Sequence, residues 1–159
     1  GTTTIEIVHN LRERPDVTIV THSMPTMRQA TEIFPGKIIF VGGEVNRRQQ
    51  STEGPLAELL LNQLRVNKAF ISAGGVSLAD GITDYELSEA NISRKMMERA
   101  DETIFLADSS KFGKSTFANV CSLDDVYTMI TDPYCDQEWK QYMADRDITL
   151  LVADKEAGS

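Results

Sequence analysis

Cysteine and histidine are scarce in this chain. Its 159 residues hold two of each, Cys121 and Cys135, His9 and His22. Neither pair has the spacing of a metal or dithiol motif, so no metal ligand and no cofactor is assigned, and reduced thiols of a cytoplasmic protein are expected. Long apolar runs are also missing. None approaches the roughly 20 residues of a membrane-spanning helix, and no secretory leader is visible, so no membrane partner is expected. Basic residues are outnumbered, 16 Lys and Arg against 24 Asp and Glu, a formal net charge of −8. Recognition of a nucleic-acid backbone needs clustered cations. The nearest cluster, Arg47-Arg48, is flanked by glutamines and acids and reads as a solvated loop. Contact with DNA therefore has to come from residues outside this chain.

What the chain does have is alternation. "VTIVTH" (17–22), "KIIFVGG" (37–43), "KAFISAGG" (68–75), "TIFLAD" (103–108), "DVYTMITD" (125–132) and "ITLLVAD" (148–154) read as strands, and "FANVC" (117–121) as a further short one. Between them lie amphipathic stretches. Thr2–Arg14 carries Ile5, Val8 and Leu11 at helical spacing, and Pro25 opens a helix to Ile33. Gly54-Pro55 opens another, with Leu56, Leu59, Leu60 and Leu64 assigned to one inward face. Ser88 is read as the cap of a helix burying Ile92, Met96 and Ala100, and 136–145 as a helix around Trp139 and Met143. Apolar strands alternating with such helices predict an α/β fold, a mostly parallel sheet with helices on both faces. There are no repeats or internal linkers, so residues 1–159 are read as one domain with "DKEAGS" fraying at its end. The chain opens on Gly-Thr-Thr-Thr and a helix without the strand that should feed them. A larger native protein is expected upstream.

In open α/β sheets, ligands gather at the carboxyl ends of the strands. The residues just past each predicted strand end are Gly1 to Thr4, Thr21-His22-Ser23, Gly42-Gly43-Glu44, Gly74-Gly75, Asp108-Ser109-Ser110-Lys111 and Thr131-Asp132. They are hydroxyls and glycines with one lysine and no aromatic platform. Glycine lets backbone N–H groups come close to a ligand, hydroxyls and a helix start suit a phosphate, and Lys111 supplies a point charge. The combination reads as a site for a small, polar, phosphorylated molecule. The segment Ser77–Ala90 adds Asp80, Asp84, Glu86 and Glu89, whose carboxylates either favour a helix start or accept hydrogen bonds from sugar hydroxyls.

The order of "GTTT", "IVTHS", "IIFVGGEV", "STEGPLAE", "KAFISAGGVS", "GITDYELSEANISRKMMERA", "IFLADSSKFGKSTF" and "ITD" resembles the effector-sensing domain of DeoR-family bacterial transcriptional regulators, from about Gly1 to Asp132. The resemblance implies a fold like that of ribose-5-phosphate isomerase and glucosamine-6-phosphate deaminase. It implies a phosphorylated sugar or related intermediate as effector, and an N-terminal winged helix-turn-helix, absent here, that binds operator DNA. By position, Thr2, Thr3 and Thr4 would cradle the phosphate, and Lys111 with Ser110 would lie near the sugar or phosphate. Gly42, Gly43, Gly74 and Gly75 would shape the floor, and Thr83, Asp84 and Glu89 match the carboxylate loop. His22 stands where the family usually has asparagine.

The alternative is a sugar-phosphate isomerase or deaminase of the same fold, with Asp84 or Glu86 as base beside Lys111. The isomerase fingerprint Gly-Ala-Asp-Glu is not present, since the third strand runs into Gly74-Gly75-Val76-Ser77. Fold likeness confers no chemistry, so no catalytic residue is assigned and a sensor is expected. It should be a homo-oligomer, dimer or tetramer, its symmetry matched to a palindromic operator.

Overall fold

The apolar, β-branched runs of the sequence form strands, and six of them pair in parallel. The computed structural model describes residues 2–153, the side chains of Thr2 and Thr3 excepted. Gly1 and the "DKEAGS" end therefore lie outside the described residues. Two compact units are present, one ending at Gln63 and the other starting at Leu64.

The first unit begins with helix α1 (Thr2–Asn10), strand β1 (Thr18–Thr21), helix α2 (Met24–Ile33) and strand β2 (Lys37–Phe40). β1 and β2 run parallel in register from Thr18↔Lys37 to Thr21↔Phe40. Ser23 starts α2 by accepting a hydrogen bond from the Thr26 N–H, and Pro25 occupies the first turn, where its missing N–H costs nothing. Val8, Ala30 and Phe34 form the core of this unit, with Leu11, Ile19 and Ile38 packed against it. An antiparallel pair follows, β3 (Glu44–Asn46) with β4 (Ser51–Glu53), and then α3 (Pro55–Leu61). The inward face of α3 differs from the expectation. Ala57 and Leu61 are buried, whereas Leu56 and Leu59 are 67% and 57% exposed. A helix of seven residues has room for one buried stripe, and burial here follows the i, i+4 pair on the side facing β4.

The second unit contains β5 (Val66–Ser72), β6 (Gly75–Ser77), β7 (Gly81–Asp84), α4 (Leu87–Arg99), β8 (Ala100–Leu106), β9 (Ala118–Cys121), β10 (Thr128–Thr131), α5 (Gln137–Asp145) and β11 (Thr149–Val152). Four of these strands form a parallel sheet in the order β11-β10-β8-β5. β6, β7 and β9 form a separate antiparallel sheet. The α/β class with mostly parallel strands is therefore as the sequence indicates. Phe105, Met129, Met143, Val76 and Ile82 are fully buried in one core between these elements. Each such side chain contributes about 1.5–3 kcal/mol.

Local differences have identifiable causes. β8 starts at Ala100, three residues before the predicted strand, although Asp101 and Glu102 are weak strand formers. Pairing with β5 decides the matter, and it places Glu102 opposite Lys68. The residue capping α4 is Glu86 rather than Ser88, without a side-chain cap bond. Both cysteines are free thiols, and burial pushes Cys121 up to about 12, which keeps it unreactive. Among the described residues, no helix is long and apolar enough to cross a membrane.

Candidate functional site

In the second unit the predicted loop after the fourth strand, at the end of β8, is a single tight 3-10 turn, Ser109–Lys111. Its polar groups are engaged internally. The Ser109 N–H and hydroxyl both donate to Asp132 Oδ2, at 2.9 and 3.1 Å. The Ser110 hydroxyl donates to Asp108 Oδ1, the Ser110 N–H donates to the same oxygen at 2.9 Å, and the Lys111 N–H donates to the Asp108 carbonyl at 3.0 Å. Gly113 then ties the loop to β6 through Val76 O, at 2.7 Å. The hydroxyls that made this stretch conspicuous thus hold the turn. What the turn displays is the Lys111 ammonium.

That ammonium lies 5.6 Å from the centroid of the Tyr85 ring, over its face. At this exposure a cation–π contact contributes about 0.5–1 kcal/mol. Tyr85 follows β7 directly, and its ring packs on the backbone at Gly74, just past β5. A methyl group at Gly74 would lie 3.1 Å from Tyr85 Cδ2 and 3.1 Å from Asp84 Cα. The Gly74 N–H donates to Thr83 O at 2.9 Å. Gly74, Asp84, Tyr85 and Lys111 are in this way gathered at the carboxyl ends of β5 and β8.

Asp84 is buried, with 6% of its surface exposed. Burial pushes its carboxyl up to about 6, with the charges of Glu89 and Glu86 adding to the effect and the N–H groups of Tyr85 and Glu86 opposing it. A raised carboxyl pKa means that the folded state holds a proton that the unfolded chain has already released. Stability from this group is therefore present at low pH and is lost as pH rises from about 4 to about 6, by up to about 3 kcal/mol. Urea unfolding at pH 4 and pH 7 should show this loss in the wild-type chain and a flat response in Asp84→Asn. An equal pH response in both proteins would remove Asp84 as its source.

Thr83 and Gly75 lie beneath this group. Thr83 is fully buried, and its Oγ1 accepts from the Thr116 N–H at 2.9 Å and from the Thr116 hydroxyl at 2.8 Å. A Cβ on Gly75 would come within 2.5 Å of Lys114 O. Both residues fasten the β6–β7 pair to the loop carrying Lys111. Glu89 lies in the first turn of α4.

The remaining expected residues belong to the first unit. His22 O accepts from the Thr52 N–H at 3.0 Å, Thr21 O from the Val41 N–H at 2.8 Å, and Val41 O from the Thr52 hydroxyl at 2.6 Å. These bonds bring His22 and the Gly42-Gly43 segment to the same carboxyl ends of β1 and β2. A Cβ on Gly42 would meet nothing within 4 Å, while one on Gly43 would come within 2.7 Å of Glu53 O. Thr4 is half-buried in the first turn of α1. The phosphate role expected of the Thr2 and Thr3 side chains lies outside the described residues.

Tyr85 is the residue that the sequence reading missed. The expected strand ends included no aromatic because the β6–β7 pair, built of Gly, Val, Ser, Ile, Thr and Asp, was read as loop. Recognising a strand in "GITD" would have placed Tyr85 at its end.

Residues 1–133 match the family model described as the DeoR C terminal sensor domain. The chain is 34% identical over 153 residues to the HTH-type transcriptional regulator IolR of Bacillus subtilis (strain 168), covering 96% of this chain and 61% of the relative. It is 31% identical over 133 residues to the transcriptional repressor AccR of Agrobacterium fabrum, covering 83% and 52%. It is 30% identical over 132 residues to a putative aga operon transcriptional repressor of Escherichia coli O157:H7, covering 83% and 49%. The chain thus spans between about half and three-fifths of the length of these relatives. They are regulators by name, and the isomerase alternative receives no support from them.

Proposed function

The chain belongs to the DeoR C terminal sensor domain family, and from that premise we propose that it is the ligand-sensing part of a bacterial transcriptional regulator of sugar catabolism. Its effector is a phosphorylated sugar or a closely related metabolite. The observation that carries this reading is the display of the Lys111 ammonium past the end of β8, over the ring of Tyr85, which itself lies by Gly74 past the end of β5. A cation suits the phosphate, and the carboxylate at the end of β7 suits sugar hydroxyls. Within the first unit taken by itself, Thr2, Thr3 and Thr4 at the start of α1 and His22 and Gly42 at the strand ends are of the residue types that suit a phosphate.

Control of DNA binding follows as linkage. The effector favours one arrangement of the sensor, and DNA-binding segments outside this chain change operator affinity by the reciprocal factor. The working form is a cytoplasmic homo-oligomer, dimer or tetramer, for which the exposed Leu56 and Leu59 of α3 offer apolar surface. The test is calorimetric titration with glucose 6-phosphate, fructose 6-phosphate and the corresponding free sugars. A phosphate should bind at least tenfold more tightly than its free sugar. Equal affinities for the two would sink the anion-site reading.

A further inference from the structure

We propose that Tyr85 reads the ring of the ligand, its aromatic face being the wall against which the C–H face of a cyclic sugar phosphate stacks. This rests on the sugar-phosphate reading above and specifies the class of ligand, cyclic rather than open-chain.

Position is the first support. Tyr85 lies between the backbone at Gly74 and the Lys111 ammonium, so a molecule that pairs with Lys111 has the ring as its immediate neighbour. Its exposure is the second. Phe105, a core aromatic, is fully buried, whereas Tyr85 leaves 48% of its surface in water. β7 explains why, since its last register pair is Asp84 with Ala118. The next residues outward, Tyr85 and Phe117, leave the ladder at the same end, and Phe117 is 83% exposed. Of the two, Tyr85 is the one presented under a cation and next to a buried carboxylic residue, Asp84.

Electronic character is the third support. The face of an aromatic ring carries negative quadrupole density, which is why it holds the ammonium at 5.6 Å. The polarised C–H groups on one side of a sugar ring suit the same face. When Lys111 turns to an anion, the carbon skeleton attached to that anion can replace the ammonium over Tyr85. Cation, carboxylate and aromatic face then correspond to phosphate, hydroxyl edge and C–H face of one small molecule. An open-chain phosphate satisfies the first two only.

The test uses the 159-residue chain titrated with glucose 6-phosphate, glycerol 3-phosphate and inorganic phosphate. Tyr85→Ala should weaken glucose 6-phosphate by about fivefold or more and the other two by less than about twofold. Tyr85→Phe should stay within about twofold for all three, because the ring face and not the hydroxyl makes the contact. Tyr85→Leu, which keeps bulk without the ring, should behave as Tyr85→Ala does, and thermal unfolding checks that each variant is folded. Equal weakening of all three ligands would reduce Tyr85 to a support for Lys111 and overturn the inference, as would no weakening at all. A wild-type chain that binds none of the three overturns the sugar-phosphate reading itself. One that binds glucose 6-phosphate dependent on Lys111 but not on Tyr85 overturns only the part given to Tyr85.

Discussion

Lys111→Ala is expected to lower affinity for a sugar phosphate by about 10- to 150-fold, the range of a charge-assisted hydrogen bond worth about 1.5–3 kcal/mol. The backbone reason is specific. In the 109–111 turn the N–H groups of Ser109, Ser110 and Lys111 are all directed at Asp132 or Asp108, as are the two serine hydroxyls. An approaching anion therefore meets the lysine side chain rather than a nest of amides. The turn itself should survive the change, since none of its bonds uses the ammonium. Lys111→Arg should recover only part of the loss, because a planar fork does not reproduce a point charge on a flexible stem. Lys114→Ala is the control for net charge, its side chain being exposed. It should leave affinity within about twofold. Calorimetry on the three variants checks this, and equal losses at positions 111 and 114 would reduce the effect to nonspecific attraction.

The second large effect concerns stability. Gly81→Ala should destabilise the chain by about 2–5 kcal/mol, combining the cost of a left-handed backbone with forced overpacking. Gly81 has φ +69°, and a Cβ there would lie 2.2 Å from Cys121 O and 2.9 Å from Leu123 N. Both contacts are backbone atoms, so no side chain can rotate away. Gly81 opens β7, the strand that carries Thr83 and Asp84 and delivers Tyr85, so the damage should reach the site. Thermal unfolding with and without glucose 6-phosphate measures both consequences. A melting temperature within about 2 °C of the wild type would show that the β7 turn relaxes freely. Gly42→Ala, where a Cβ would meet nothing within 4 Å, provides the comparison for stability and should leave the melting temperature without ligand nearly unchanged.

Much of this was legible from the chain itself. The four parallel strands of the second unit each hold a short apolar stretch, 69–71, 104–106, 129–130 and 150–152, and such stretches bounded by polar residues declare themselves as strands. Ser23 and Pro25 set the start of α2 through groups of the chain's own backbone. The Asp108–Lys111 stretch was also conspicuous, though for a reason the sequence could not supply. Its serines serve the turn, and the lysine side chain alone is left for the proposed ligand. The β6–β7 pair was not legible. "GVS" and "GITD" lack the bulk and alternation of ordinary strands, and they are strands only because β9 and the core enclose them. The inward side of α3 was not legible either, since four leucines in a short helix allow two faces and only the neighbour chooses between them.

The sequence alone determined the α/β class, the net acidic charge, and the concentration of glycine, hydroxyl and lysine at strand ends. These follow from composition and from local period, which act over a few residues. Tertiary structure decided which of those polar groups are spent on the fold and which are displayed, and it placed Tyr85 between Gly74 and Lys111. Such a placement depends on the register of strands distant in the chain, and a register is set by packing over the whole sheet rather than by any segment within it.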